Sequence, residues 1–253
     1  MRLVRFRYGD RIATGVLGDG SIKVLRGTFF EDPVSTGEEV ALDDVRLLAP
    51  VLPSKVICVG LNYRAHAKEL GQEIPEEPLL FLKPSTSVSG PGDPIPLHPL
   101  SGRVDYEGEL AVVIGRLARR VSSPEQAGAS ILGYTCGYDV TLRDLQSKDD
   151  QWTRAKGFDG SNPLGPWIET EADPSDLKLD TRVNGEVRQS SRTSDMAFRP
   201  VALVSFITQY MTLLPGDVIM TGTPAGIGPL SPGDKVEVEI EGIGVLANQA
   251  VDG

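Results

Sequence analysis

The segment that most constrains the fold is Asp105-Tyr106-Glu107-Gly108-Glu109-Leu110-Ala111-Val112-Val113-Ile114-Gly115. Leu110 to Ile114 is an unbroken apolar run of strand length, and a run without alternation marks a strand buried on both faces. Any architecture the chain adopts must therefore cover this strand from two sides. Glu107 and Glu109 stand at its mouth, two residues apart, where a strand projects both side chains from one face. Like charges that close raise each other's pKa unless a cation lies between them. Mg2+ or Mn2+, which favour carboxylate oxygen, would resolve the conflict. Two carboxylates pointing to solvent at a strand end would show the same spacing, and Glu-x-Glu alone does not separate the readings.

The rest of the chain is strand-rich. Leu3–Tyr8, Ile12–Leu17 and Ile22–Leu25 read as short strands, with Asp19-Gly20 as a hairpin turn. Pro50 to Pro53 then reads as a linker between a small N-terminal β domain (1–50) and a larger domain (51–253). Strands are predicted over 55–59, 104–114, 133–138, 177–183 and 235–240, with turns at Asn184-Gly185 and Gly242. A short helical pattern runs through Leu70, and Ser123-Pro124-Glu125 opens another helix. A polar helical stretch is predicted from Asp139 to about 149. A helix over 200–213 would pack through Val201, Val204, Phe206, Ile207 and Tyr210. No Gly-x-Gly-x-x-Gly follows a strand and no phosphate loop is present, which argues against a doubly wound nucleotide-binding sheet.

Composition excludes several functions. A formal charge of -10 argues against a nucleic-acid partner, and it requires local positive charge to draw in any anionic substrate. No stretch approaches the roughly 18–20 apolar residues that span a bilayer, and the N-terminus has no secretory apolar core, so a cytoplasmic protein is expected. The two cysteines, Cys58 and Cys136, read as small buried hydrophobes. With two histidines in the chain, a His-rich metal site is excluded by count.

Four further clusters carry possible chemistry, each with a plainer alternative. Asp139 follows a predicted core strand and reads as a third acidic metal ligand, as a helix N-cap, or as both at once. His66 and Glu69, three apart on a helical face, are either an oriented general base or an exposed surface pair. Lys156, in a Trp- and Phe-containing stretch, either stabilises a developing enolate or covers an aromatic with its stem. Thr223 belongs to Met220-Thr221-Gly222-Thr223-Pro224-Ala225-Gly226, a tight loop with available N–H groups or a structural turn.

Taken in order, these segments resemble the fumarylacetoacetate hydrolase superfamily. The resemblance rests on Gly60-Leu61-Asn62-Tyr63 with His66 and Glu69, Phe81-Leu82-Lys83-Pro84, Gly90-Pro91-Gly92-Asp93-Pro94 and Asp105 to Leu110. It continues through Gly137 to Thr141 with Arg143-Asp144-Leu145-Gln146, Lys156-Gly157-Phe158-Asp159, Val183-Asn184-Gly185 and Thr221 to Gly226. It implies an α+β protein with a mixed β-sandwich roll or barrel, usually homodimeric, carrying Mg2+ or Mn2+ on Glu107, Glu109 and Asp139. It also implies a general base at His66 paired with Glu69 in a lid, and head-group contacts from Lys156, Gln146 and Thr223. Leu61 stands where some relatives carry a basic residue, so no anionic contact is expected there.

The expected substrate is a small 2-keto (or 2-enol) acid, with C–C hydrolysis of acylpyruvates or decarboxylation of oxaloacetate-like acids as the reaction. The N-terminal segment resembles that of bacterial 2-hydroxyhepta-2,4-diene-1,7-dioate isomerases of aromatic catabolism, which makes isomerisation the alternative. A non-catalytic β-rich protein with a structural cation is the reading of a different class.

Overall fold

The computed structural model describes residues 1–31 and 33–253. In it the apolar run belongs to the strand Gly108–Ile114, and every residue of that strand is buried. The strand lies mid-sheet, with Ile131–Tyr138 antiparallel on one edge and Val218–Met220 antiparallel on the other. Leu110, Val112 and Ile114 enter a core shared with Val204, Ile207, Val238 and Leu246. Ala111 and Val113 enter a second core with Val56, Cys58, Leu164 and Met220 on the opposite face. The sheet is thus covered on both sides, as an unalternating run demands.

The same large sheet continues through Asn162–Glu169 to the N-terminal meander Arg2–Tyr8, Arg11–Leu17, Ser21–Arg26 and Val34–Ala41. In the other direction it continues through Val56–Gly60, parallel to Val218–Met220, to Leu79–Lys83. A five-stranded sheet covers one face, built from Glu186–Arg192, Lys178–Val183, Lys235–Ile240, Gly244–Asp252 and Pro94–Leu97. A three-stranded sheet joins Thr141–Leu142, Val104–Tyr106 and Gly228–Pro229. The protein is the strand-dominated α+β roll that was expected.

Three local expectations need correction. Residues 104–114 do not form one strand. The chain leaves the three-stranded sheet after Tyr106 and enters the large sheet at Gly108, so Glu107 marks the crossing. Gly108 makes this passage feasible: a Cβ there would lie 2.1 Å from Thr181 Oγ1 and 2.7 Å from Val238 Cγ2.

Second, no helix starts at Asp139. A strand Thr141–Leu142 intervenes, the helix is Arg143–Lys148, and Leu142 is its N-cap. The Asp139 N–H donates to the Glu107 carbonyl at 2.9 Å, which carries the β ladder one step past Tyr138.

Third, the helix predicted over 200–213 ends at Tyr210, and it packs through Leu203, Val204 and Ile207. Tyr210 is 67% exposed and stacks edge-to-face on Phe206, with ring centroids 5.2 Å apart. Cys58 and Cys136 are buried free thiols, and burial pushes the Cys136 thiol up to about 12.

Candidate active site

Strand register brings the acidic residues together. The ladder pairs Gly108 with Tyr138 and Glu109 with Gly137, which sets Asp139 opposite Glu107. Glu107 and Glu109 share a face by their spacing, and Asp139 joins that face by its pairing. Oxygen atoms of all three lie within 4.8 Å of one another, and all three residues are buried.

Three buried carboxylates would not coexist without compensation. Lys156 Nζ donates to Glu107 Oε2 at 3.0 Å, to Asp139 Oδ2 at 2.6 Å and to Thr141 Oγ1 at 2.8 Å. Lys83 Nζ donates to Asp139 Oδ1 at 2.7 Å and to the Ser161 carbonyl at 2.8 Å. Arg143 donates to Glu107, to Asp105 and to Gln146 Oε1, the last at 2.7 Å.

The consequences for titration differ along the trio. Burial opposes ionisation of Glu107, but Lys156, Arg143 and His66 outweigh it and hold the carboxyl down at about 2. Burial would lower the Lys156 ammonium, yet Asp139 and Glu107 together raise it. Glu109 is pushed well above the usual carboxylate range by burial, then by Asp139 and Glu107, with partial relief from the Gly222 N–H. That N–H donates to Glu109 Oε2 at 2.7 Å. A hard divalent cation among the three would neutralise Glu109, and an all-carboxylate donor set suits Mg2+ or Mn2+. The residues present therefore fit such an ion.

The remaining walls come from loops. His66 is 5% exposed on the helix Arg64–Glu69, with Nδ1 2.9 Å from Glu69 Oε2. Glu69 Oε1 in turn accepts the Gly226 N–H at 3.0 Å, which ties this helix to the Thr221–Gly226 loop. Thr223 Oγ1 donates to the Gly108 carbonyl at 2.9 Å and accepts from Gln189 Nε2 at 2.7 Å. Gly222 has φ +93, and a Cβ there would lie 2.9 Å from Asn62 Cβ, so the close approach needs glycine. His66, Glu107, Glu109, Asp139, Gln146, Lys156 and Thr223 all line one cleft of about 530 Å³. Glu69 acts on that cleft through His66.

Residues 55–251 match the profile described as fumarylacetoacetate (FAA) hydrolase C-terminal. The chain belongs to the fumarylacetoacetate hydrolase family. Residues 1–50 of this family member match a second profile, described as Rv2993c-like, N-terminal. The fumarylacetoacetate hydrolase family is generally dependent on a divalent metal, and its relatives here are enzymes. The crystal structure of 5-carboxymethyl-2-hydroxymuconate delta-isomerase from Mycobacterium smegmatis is similar at 50% identity and TM-score 0.94, covering 100% of both chains. Fumarylacetoacetate hydrolase from Exiguobacterium antarcticum is 40% identical with TM-score 0.90, again over 100% of both chains. Human mitochondrial oxaloacetate tautomerase is 44% identical over 221 residues, 82% of this chain and 70% of the human protein. This chain is accordingly an enzyme of the fumarylacetoacetate hydrolase family.

Lys83, Arg143 and Asn62 lie inside the motifs but take their parts only from the fold, and Gln189 lies outside all of them. Lys83 had a visible signal: a lysine closing the apolar strand Leu79–Lys83, here 1% exposed. Asn62 donates to the Thr221 carbonyl at 2.7 Å and to the Phe198 carbonyl at 2.9 Å, which fixes the loop beside Gly222. Gln189 accepts the Gly108 N–H at 2.9 Å across two sheets, a contact that no local pattern signals.

Proposed function

We propose that the protein uses Mg2+ or Mn2+, held by Glu107, Glu109 and Asp139, to cleave a C–C bond next to a 2-oxo (or 2-enol) carboxylate. Hydrolysis of acylpyruvates and decarboxylation of oxaloacetate-like acids are the two outcomes of this reading. When bound, the ion supplies Lewis acidity toward a chelating 2-oxo acid. Everything else is the work of side chains. Glu69 holds His66 through Nδ1, which leaves Nε2 as the ring nitrogen free to take a proton from water. The resulting hydroxide attacks the distal acyl carbonyl, the C–C bond breaks, and its electron pair passes to the departing 2-oxo acid. His66 then returns its proton.

Lys156 provides fixed positive charge where negative charge develops on that fragment, a contribution typically of a few kcal/mol to the barrier. Gln146, whose Oε1 is held by Arg143, and Thr223, held by Gln189, orient the head group. One observation carries the proposal: the buried His66, held from behind by Glu69, lines the same cleft as the carboxylate trio. A structural cation would instead be closed off by protein ligands. A screen of acetylpyruvate, fumarylpyruvate, oxaloacetate and 2-hydroxyhepta-2,4-dienedioate with Mg2+ or Mn2+ tests it, scored by rate and product. No metal-dependent turnover of any of them would refute it.

Isomerisation is the second reading. It is supported by the likeness to the Mycobacterium smegmatis delta-isomerase and the human tautomerase. In that case His66 shuttles a proton between carbons or oxygens of the substrate without activating water, and the screen returns an isomer with no cleavage product.

A further inference from the structure

Three permanently cationic side chains, Arg103, Arg143 and Lys156, line the cleft. Two of them are committed to protein partners through every nitrogen they have. Lys156 spends its three N–H bonds on Glu107, Asp139 and Thr141. Each guanidinium nitrogen of Arg143 is engaged, Nε with Asp105, Nη1 with Gln146 and Nη2 with Glu107.

Arg103 is different. Its Nε and Nη2 grip Asp105 side-on at 2.8 and 2.9 Å, which fixes the plane of the fork. Both N–H bonds of Nη1 and the second N–H of Nη2 take no part in that grip, and the side chain is 51% exposed. Its backbone is held as well. The Arg103 carbonyl accepts the Arg143 N–H at 3.0 Å, and the neighbouring Gly102 N–H donates to Asp144. Asp105 Oδ2 also accepts Arg143 Nε at 2.8 Å, so Arg103 stands one carboxylate away from the arginine that touches Glu107.

We infer that Arg103 reads a second, distal carboxylate on the substrate, so that the enzyme selects 2-oxo dicarboxylates over 2-oxo acids with a neutral tail. This rests on the proposed function in one respect, that a 2-oxo acid head group chelates an ion on the trio. An oriented guanidinium with free donors pairs with a carboxylate through two parallel N–H bonds, a geometry that a neutral tail cannot exploit. Lys156 has its three N–H bonds spent, and Arg143 is 15% exposed with every nitrogen tied to a protein partner, which leaves the wholly unengaged Nη1 of Arg103 the most available cationic donor for a distal anion.

The test is calorimetric binding to Mn2+-loaded protein. Oxalate reports the head-group site alone. Matched pairs differing by one terminal carboxylate, 2-oxoglutarate with 2-oxopentanoate and 2-oxoadipate with 2-oxohexanoate, report the distal site. Wild type should bind the diacid of at least one pair roughly 10- to 100-fold tighter than its monoacid, the range for a charged hydrogen-bonded pair. Arg103→Leu should bring that ratio close to one while oxalate affinity and the Mn2+-induced rise in melting temperature stay as in wild type. Arg103→Lys should restore part of the ratio, which a merely structural role would not do.

A ratio that survives in Arg103→Leu overturns the inference, as does a wild type that binds oxalate but does not prefer diacids. Either result leaves the proposed function standing. Failure of Mn2+-loaded wild type to bind oxalate overturns the proposed function, and this inference with it.

Discussion

Lys156 meets Asp139 with its Nζ 2.6 Å from Oδ2, and both side chains are almost wholly buried. The same ammonium holds Glu107, so removing it leaves Asp139 to Lys83 alone and Glu107 to Arg143 alone, with Glu109 beside them. Breaking a buried pair by deleting one partner costs about 3–5 kcal/mol. Lys156→Met is expected to lower the melting temperature of metal-free protein by many degrees and to be partly rescued by Mn2+. Thermal denaturation with chelator and with Mn2+ checks this, and an unchanged metal-free melting point would show that the lysine is not the counter-charge.

Glu109 is the carboxylate to which neither lysine donates a hydrogen bond. Glu109→Gln removes the repulsion from Asp139 and Glu107 while keeping the volume, so metal-free protein should melt at a higher temperature than wild type. The Mn2+-induced gain in melting temperature should vanish. The pH dependence follows from the raised folded-state pKa. A raised carboxyl favours folding fully below its unfolded value and loses that contribution as pH rises through the folded value. Metal-free wild type should therefore lose stability from about pH 4.5 upward, and Glu109→Gln should flatten that slope. A slope identical in both proteins would count against the assignment.

His66 touches Glu69 and none of the three acidic residues by hydrogen bond. His66→Ala is expected to cut C–C hydrolysis by roughly 100- to 10,000-fold, the usual weight of a general base. Mn2+ affinity should change less than about threefold. Turnover paired with a metal titration separates the two, and loss of metal binding would contradict the division of labour.

Gly108 has no room for a methyl group, because Thr181 Oγ1 and Val238 Cγ2 lie inside contact distance of a Cβ. Gly108→Ala should therefore push the large sheet away from the five-stranded one at the point where Glu107 and Glu109 are set. Overpacking of this kind costs about 1–3 kcal/mol. The expected result is a lower melting temperature together with weakened Mn2+ binding. A variant that binds Mn2+ as tightly as wild type would mean that the trio does not depend on this crossing.

The two-sided burial of Leu110–Ile114 and several of the strands were readable from period and composition, because they follow from how a strand projects its side chains, whereas the break at Glu107 and the mid-sheet strand Asn162–Glu169 were not. The pairing of His66 with Glu69 was readable for the same reason on a helix. Ordered motifs brought Asp139, Gln146, Lys156 and Thr223 into view without saying what they touch. What only the tertiary structure decided was the cross-strand register that sets Asp139 opposite Glu107. It also decided the lysines and Arg143 that neutralise the trio, and the exposed cleft arginine whose Nη1 is engaged by no partner. Local periodicity dictates which face a side chain takes. Which distant charge meets it depends on how sheets pair and stack, and that is settled by the packing of the whole chain.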